Sequence, residues 1–415
     1  MPVWASRPSR TGRREPSLLG LLSPPGWASL AHPGLQVPAG LGSKLPRAGL
    51  RQLSGLGCPI LPGQAFRAPG LGFKELARVL GDKGVIDFSD VEHVIMKNDR
   101  SLHEVFKLFD LIHILTTDHK IITRITKEVV EDFASENVLY LELRTTPKSK
   151  TNDSVGMTKR SYMEAVVEGL KAVGTVDVHF MPHAANAGSF MISQPIRETC
   201  NGTTRKKIYV RLLLSIDRRE TTEAAMETVK LALELRHMGV VGIDLSGNPI
   251  VGEWSTFLPA LNFAREQGLY ITLHCGEVPN PKEIRTMLDF LPQRIGHACC
   301  FEEEEWKKLK SFNIPVEICL TSNIRTNTIS SLDVHHFANL YNVKHPLILC
   351  TDDVGVFSTS LCHEYSLAAS AYGLGRREIF QLAKDAIEFI FADDGVKKDL
   401  REIFTSTAKK LDLLL

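Results

Sequence analysis

The feature that most constrains this chain is an alternation. From about residue 73 onward, apolar runs rich in Val, Ile and Leu take turns with stretches of helical periodicity, the pattern of a parallel sheet joined by crossover helices. The strand-like runs are Val138–Arg144, Val210–Ile216, Val240–Leu245, Leu269–His274, Arg294–Cys299, Val316–Leu320 and Leu347–Cys350. Between them lie helical stretches such as Glu220–His237 and Thr256–Glu266, the latter ending at the breaker Gly268. Strict β-then-α order over a chain of 415 residues predicts an α/β fold, a (β/α)8 barrel. Such a barrel needs eight strands and seven are legible, so one is expected upstream of Val138. There, Ser101–Leu115 and Thr123–Phe133 read as helices and no convincing strand is found.

Polar residues close nearly every run. In order they are Arg144-Thr145-Thr146-Pro147-Lys148, Ser215-Ile216-Asp217, Asp244-Leu245-Ser246-Gly247, His274-Cys275-Gly276-Glu277, His297, Thr321-Ser322-Asn323 and Thr351-Asp352-Asp353. Any one of these could be a helix cap or a turn. Together they point to a site, because a (β/α)8 barrel places its active site at the C-terminal ends of its strands. His274 and Glu277 stand where a strand gives way to a turn, so an imidazole able to bind a metal and a carboxyl able to move a proton can face a common cavity. His297 follows Gly296 at the next strand end, where it can hold or accept the proton of an attacking water. Asp352 and Asp353 are adjacent, so their side chains diverge, one toward a metal and one toward a substrate. Asp393-Asp394, ahead of Gly395 and a helix, reads as plain N-capping, and His335-His336 as structural.

Composition narrows the function. The chain is 43% hydrophobic and 23% charged, ample for a sizeable core, and its net charge of +1 gives no field suited to a polyanion. Neither nucleic acid nor a membrane is therefore an expected partner, and a small molecule is; a monomer is expected. No apolar run is long enough to span a bilayer. The eight cysteines form no CxxC pair, and most sit in apolar runs, which points to a reducing, cytoplasmic compartment. Residues 1–72 break the pattern: rich in Pro, Gly, Arg and Leu, with Glu15 their only acid, they read as a disordered, non-homologous leader ahead of a barrel domain at 73–415. Repeated Pro and Gly oppose the amphipathic helix that a mitochondrial transit peptide needs. Within the barrel, His179–Tyr209 reads as an inserted surface loop, and its Asn201-Gly202-Thr203 sequon as a chance match.

The sequences Leu273-His274-Cys275-Gly276-Glu277, Arg294-Ile295-Gly296-His297, Thr321-Ser322-Asn323 and Cys350-Thr351-Asp352-Asp353 resemble, in order and spacing, the adenosine and AMP deaminase family of metal-dependent hydrolase barrels. Tyr140-Leu141-Glu142-Leu143-Arg144-Thr145-Thr146-Pro147, Ser215-Ile216-Asp217-Arg218-Arg219 and Asp244-Leu245-Ser246-Gly247-Asn248-Pro249 are similar to its adenosine deaminase-like members, which are N6-methyl-AMP deaminases. The resemblance implies a zinc-dependent deaminase of a purine nucleotide, with His274 and Asp352 as Zn2+ ligands. It makes Glu277 the acid that protonates the purine ring and His297 the residue that positions or deprotonates the water. Asp353 and Gly247 would hold the purine, and His113, Thr145, Thr146, Pro147, Lys148 and Asp217 would line the nucleotide pocket, Lys148 close to the phosphate.

The chain departs from that family in one respect. The family's first strand ends in His-x-His, two further zinc ligands, and no His-x-His occurs among these 415 residues. One loss would account for both the missing ligands and the missing eighth strand. The alternative expectation is thus a catalytically impaired isoform or pseudoenzyme. A metal-free phosphate-binding barrel is a third, but the Asp352-Asp353 pair would repel phosphate at the strand ends where such barrels bind it.

Overall fold

The computed structural model describes residues 61–65, 101–116, 118–149, 156–182 and 206–413. Nine strands form one parallel sheet: β1 (Leu61–Ala65), β2 (Val138–Thr145), β3 (Asp177–His179), β4 (Lys207–Asp217), β5 (Val240–Ser246), β6 (Tyr270–Cys275), β7 (Arg294–His297), β8 (Val316–Ile318) and β9 (Leu347–Leu349). The ladder runs β1-β2-β4-β5-β6-β7-β8-β9, and the short β3 pairs only with the start of β4. Eight strands therefore follow one another in barrel order, the expected (β/α)8 architecture, and the helices between them cover the outside. Leu141, Val210, Leu212, Ile243, Ile271, Ile295, Val316 and Leu349, from seven of these strands, all belong to one apolar core.

The helices begin where the sequence supplies a cap. Ser101 caps Leu102–Leu115 with a reciprocal Ser101–Glu104 capping box, and Asp118 caps His119–Ser135. Helix His119–Ser135 buries Ile122, Thr126, Val129, Val130 and Phe133, spaced three and four apart as one face requires. Asp393 caps Asp394–Lys410, as expected, by accepting from the Val396 N–H at 3.0 Å. No helix among the described residues is long and apolar enough to cross a membrane.

Three differences from the sequence reading stand out. Strand β1 lies inside the segment expected to be disordered, and it pairs along β2 from Leu61 opposite Val138 to Ala65 opposite Leu143. Pairing on an edge asks only for an extended backbone, and Pro62 is tolerated on an edge strand, so Leu-Pro-Gly-Gln-Ala carries no alternation by which to detect it. The family's first strand is missing as a motif, but its place beside β2 is taken. The inserted loop is also shorter than 179–209, because Asp177–His179 pairs with Lys207–Tyr209. The remainder of the leader, and the loop with its sequon, lie outside the described residues. Cys275, Cys299, Cys300, Cys319 and Cys350 form no disulfide, whereas Cys362 is disulfide-bonded, a departure from the reading of the cysteines as a reduced set.

Candidate active site

Two of the site residues sit at strained turns. His297 ends β7 with φ +70°, and Asp352 follows β9 with φ +55°, left-handed conformations that cost a non-glycine residue roughly 1–3 kcal/mol. Gly247, after β5, has φ +97°, and a Cβ there would meet Asp217 Oδ1 at 3.0 Å. Gly276, after β6, has φ +74°, and a Cβ would lie 2.6 Å from the Phe301 ring. These turns bring the strand-end side chains around one cavity of about 240 Å³, lined by His274, Glu277, His297, Asp352 and Asp353 among others.

In that cluster Nε2 of His297 lies 3.7 Å from Glu277 Oε1 and 3.8 Å from Asp352 Oδ2, and the rings of His274 and His297 are 5.3 Å apart. Asp352 Oδ2 accepts from Ser322 Oγ at 2.8 Å. Burial opposes a charge on His274, but Asp244, 3.0 Å from its Nδ1, outweighs that and pushes its pKa up to about 9. Burial, reinforced by the neighbouring Asp352, pushes the Asp353 carboxyl well above the usual carboxylate range, so this acid can keep its proton and donate.

The same cavity has a cationic side. Lys148 reaches Thr116 Oγ1 at 2.6 Å, and burial together with nearby Arg219 brings its pKa down to about 7. His113, on helix Leu102–Leu115, lies 4.0 Å from Asp217 and is lowered to about 4 by burial, Lys148 and Arg219, so it is neutral near pH 7. Burial works against the charge of Asp217, yet hydrogen bonds from Arg219 hold it below the usual range.

An ionic network on the strands supports these residues from beneath. Arg294 is fully buried; it pairs with Glu142, bonds Glu317 Oε1 at 2.7 Å, and stacks 3.5 Å over the Phe391 ring. Glu317 also pairs with Arg144, whose guanidinium lies 3.6 Å from Asp244. A chain of alternating charge thus runs from Glu142 to His274.

Of the residues expected at the site, His113, Thr145, Thr146, Lys148, Asp217, Gly247, His274, Glu277, His297, Asp352 and Asp353 all line this cavity. Pro147 is the exception: it is buried and does not line it. Sequence reasoning placed Asp244 at a strand end and Arg219 in a family-like run without giving either a partner, and it passed over Glu317, which strand alternation could have singled out as a charged residue inside an apolar run.

Parallel strands in barrel order, with an imidazole and carboxylate cluster at their ends and a cation across the same cavity, have the groups of a hydrolase site for a small anionic molecule. Residues 86–406 match the family described as adenosine deaminase. Over 334 residues the chain is 70% identical to the N6-mAMP deaminase of Arabidopsis thaliana, covering 80% of this chain and 92% of that protein. It is 38% identical over 338 residues to the human N6-methyl-AMP deaminase, covering 79% of this chain and 87% of that one. A solved structure described as the ADAL-IMP complex superposes with a TM-score of 0.78 at 64% identity, over 86% of this chain and 99% of the other. The chain belongs to the adenosine deaminase family, whose members depend on a metal.

Among the described residues, the donors for that metal are only half present. His274 has Nε2 free, because Nδ1 is held by Asp244, and Asp352 offers a carboxylate. Strand β1, in the place next to β2, holds no imidazole. His297, Cys319 and Asp352 have ligand atoms within 4.8 Å of one another. The Cys319 thiol is buried and hydrogen-bonded with Cys350, and this trio has one imidazole where the family has a His-x-His pair besides the strand-end ligands. The described residues therefore do not complete a zinc site of the family's kind.

Proposed function

We propose that this cavity is built for hydrolytic deamination of a purine nucleoside monophosphate, N6-methyl-AMP and water giving IMP and methylamine, and that the short donor set limits its rate in this chain. The observation that carries the reading is the convergence of His274, Glu277, His297, Asp352 and Asp353 on one cavity that also holds Lys148. Glu277 is the proton donor to the purine ring, and His297 orients the attacking water. Asp353, kept protonated, and the backbone at Gly247 hold the base; His113, Thr145, Thr146 and Asp217 line the nucleotide pocket, and Lys148 meets the phosphate. Zn2+ is the expected cofactor, and His274 and Asp352 alone would hold it weakly. The protein acts as a cytoplasmic monomer on a small molecule.

A second reading, a nucleotide-binding barrel without turnover, is favoured by one observation: the strand beside β2 has no imidazole. Metal analysis and a methylamine-release assay separate the two. They compare the chain as written with a version whose Leu61–Ala65 is exchanged for a strand ending in His-x-His. The exchanged version is expected to hold one equivalent of zinc and to turn over at least ~100-fold faster. Equal zinc and equal turnover in both would remove the donor shortage from the proposal. Neither turnover nor IMP binding in either version would overturn the deaminase reading.

A further inference from the structure

Which nitrogen of His297 carries its proton is fixed by hydrogen bonds that begin at a donor unable to change. The backbone N–H of Phe337 lies 3.0 Å from Nδ1 of His335. An N–H only donates, so Nδ1 of His335 accepts and bears no proton. The proton of that ring is on Nε2, which lies 3.1 Å from Oδ1 of Asn323. The Asn323 atom facing a donor must be an acceptor, which fixes the orientation of the amide: its carbonyl is toward His335 and its NH2 toward His297. Nδ2 of Asn323 lies 3.2 Å from Nδ1 of His297, so this nitrogen also accepts. The neutral ring of His297 is left with its proton on Nε2, the nitrogen that faces Glu277 and Asp352.

Burial protects each link. His335, Asn323 and His297 are 2%, 2% and 4% exposed, so water does not compete for their hydrogen bonds. Burial, and behind it the nearby His297, bring the pKa of His335 down to about 4, so its Nδ1 stays bare near neutral pH. The positive φ of His297 is a conformation that its surroundings must hold, so the ring is placed by the packed structure and not by the residue's own preference.

We propose that His335 and Asn323 are positioning residues which lock His297 as the Nε2–H tautomer, so that the ring presents a hydrogen-bond donor, not a base, to the reacting centre. His297 Nε2 then cannot take up a proton without first giving one away. The proposal rests on the deaminase reading for what the donor meets, namely the attacking water. The tautomer itself depends only on the Phe337–His335–Asn323–His297 chain.

The test is nitrogen-15 NMR of the full chain labelled at histidine, with the His297 signals assigned by their loss in His297→Gln. At neutral pH the wild-type spectrum is expected to show a protonated Nε2 and a bare Nδ1. Asn323→Asp, whose carboxylate only accepts, is expected to move the proton to Nδ1 or to add one there. His335→Phe removes the fixed donor and is expected to give a mixture of tautomers. A wild-type His297 with its proton on Nδ1, or doubly protonated, would overturn the proposal even if neither Asn323→Asp nor His335→Phe folds. An Asn323→Asp spectrum identical to wild type would do so as well. In the version with the exchanged first strand, Asn323→Asp is expected to lower kcat at least ~10-fold with KM within twofold, the split expected of a group positioned for the transition state. A rise in KM at unchanged kcat would place Asn323 in ground-state binding and overturn the positioning role. Absence of turnover with the stated tautomer would count against the deaminase reading alone.

Discussion

Oδ1 of Asp244 lies 3.0 Å from Nδ1 of His274, and Oδ2 of the same carboxylate accepts from Ser215 Oγ at 3.0 Å. The aspartate thereby turns Nε2 of His274 toward the cavity and raises the basicity of the ring, the usual service of a carboxylate behind a metal-binding imidazole. Asp244→Asn keeps the shape and removes the charge. Zinc affinity is expected to fall ~10- to 100-fold, read by competition with a chromophoric chelator in the version with the exchanged first strand. Unchanged affinity would show that His274 needs no orientation.

Arg294 neutralises two carboxylates, Glu142 and Glu317, that are themselves almost completely buried. Removing the cation withdraws one counter-charge from each carboxylate in a low-dielectric interior, although Arg144 still faces Glu317. Arg294→Met is therefore expected to destabilise the barrel by ~3–5 kcal/mol in urea denaturation, and to disturb Arg144 and Asp244 through Glu317. A loss below ~1 kcal/mol would mean that water reaches the network.

The Lys148 pKa of about 7, against an ordinary 10.5, gives a pH dependence with a definite sign. Between those values the unfolded chain holds a proton that the folded chain has released, so this group's contribution to stability rises with pH across that window. Nucleotide binding runs the other way. A phosphate that is dianionic above pH ~6 favours the ammonium form, so affinity for IMP is expected to fall by up to ~10-fold per pH unit from about pH 7 to 9. His113, at about 4, does not titrate there, and Asp217 stays ionised. Calorimetry across that range checks it: Lys148→Arg, which keeps its charge, should flatten the profile, and an unchanged slope would exclude Lys148 from the phosphate.

The strands with a strong apolar signature, β2 and β4 to β9, were legible because their side chains are buried on both faces and read as continuous runs. The catalytic candidates were legible because barrel geometry assigns meaning to a polar strand end. What escaped was held by long-range geometry. Strand β1 is a strand through its backbone pairing with β2, and Leu61–Ala65 has no periodicity to announce it. His335 looked like an ordinary helix-start residue, and only folding brings it against Asn323, twelve positions earlier. Pro147 shared its sequence with four cavity neighbours, and only the path of the chain beyond the strand end at Thr145 buries it away from them.

Glu277 carries the last prediction. Its carboxylate is 11% exposed, faces the cavity and lies 3.7 Å from His297 Nε2, so it is held in place and shielded from bulk water, as a proton donor to a bound purine must be. Gln has the same shape and cannot supply that proton. In the version with the exchanged first strand, Glu277→Gln is expected to cut turnover of N6-methyl-AMP by ~10²- to 10⁴-fold, the usual worth of a positioned general acid. Zinc content, melting temperature and affinity for IMP should stay close to those of the parent, because neither His274 nor Asp352 is altered and Asp244 still holds His274. Retained turnover would assign the proton to another group, with Asp353 the remaining candidate because its carboxyl is held protonated. Loss of zinc along with turnover would instead make Glu277 part of the metal site.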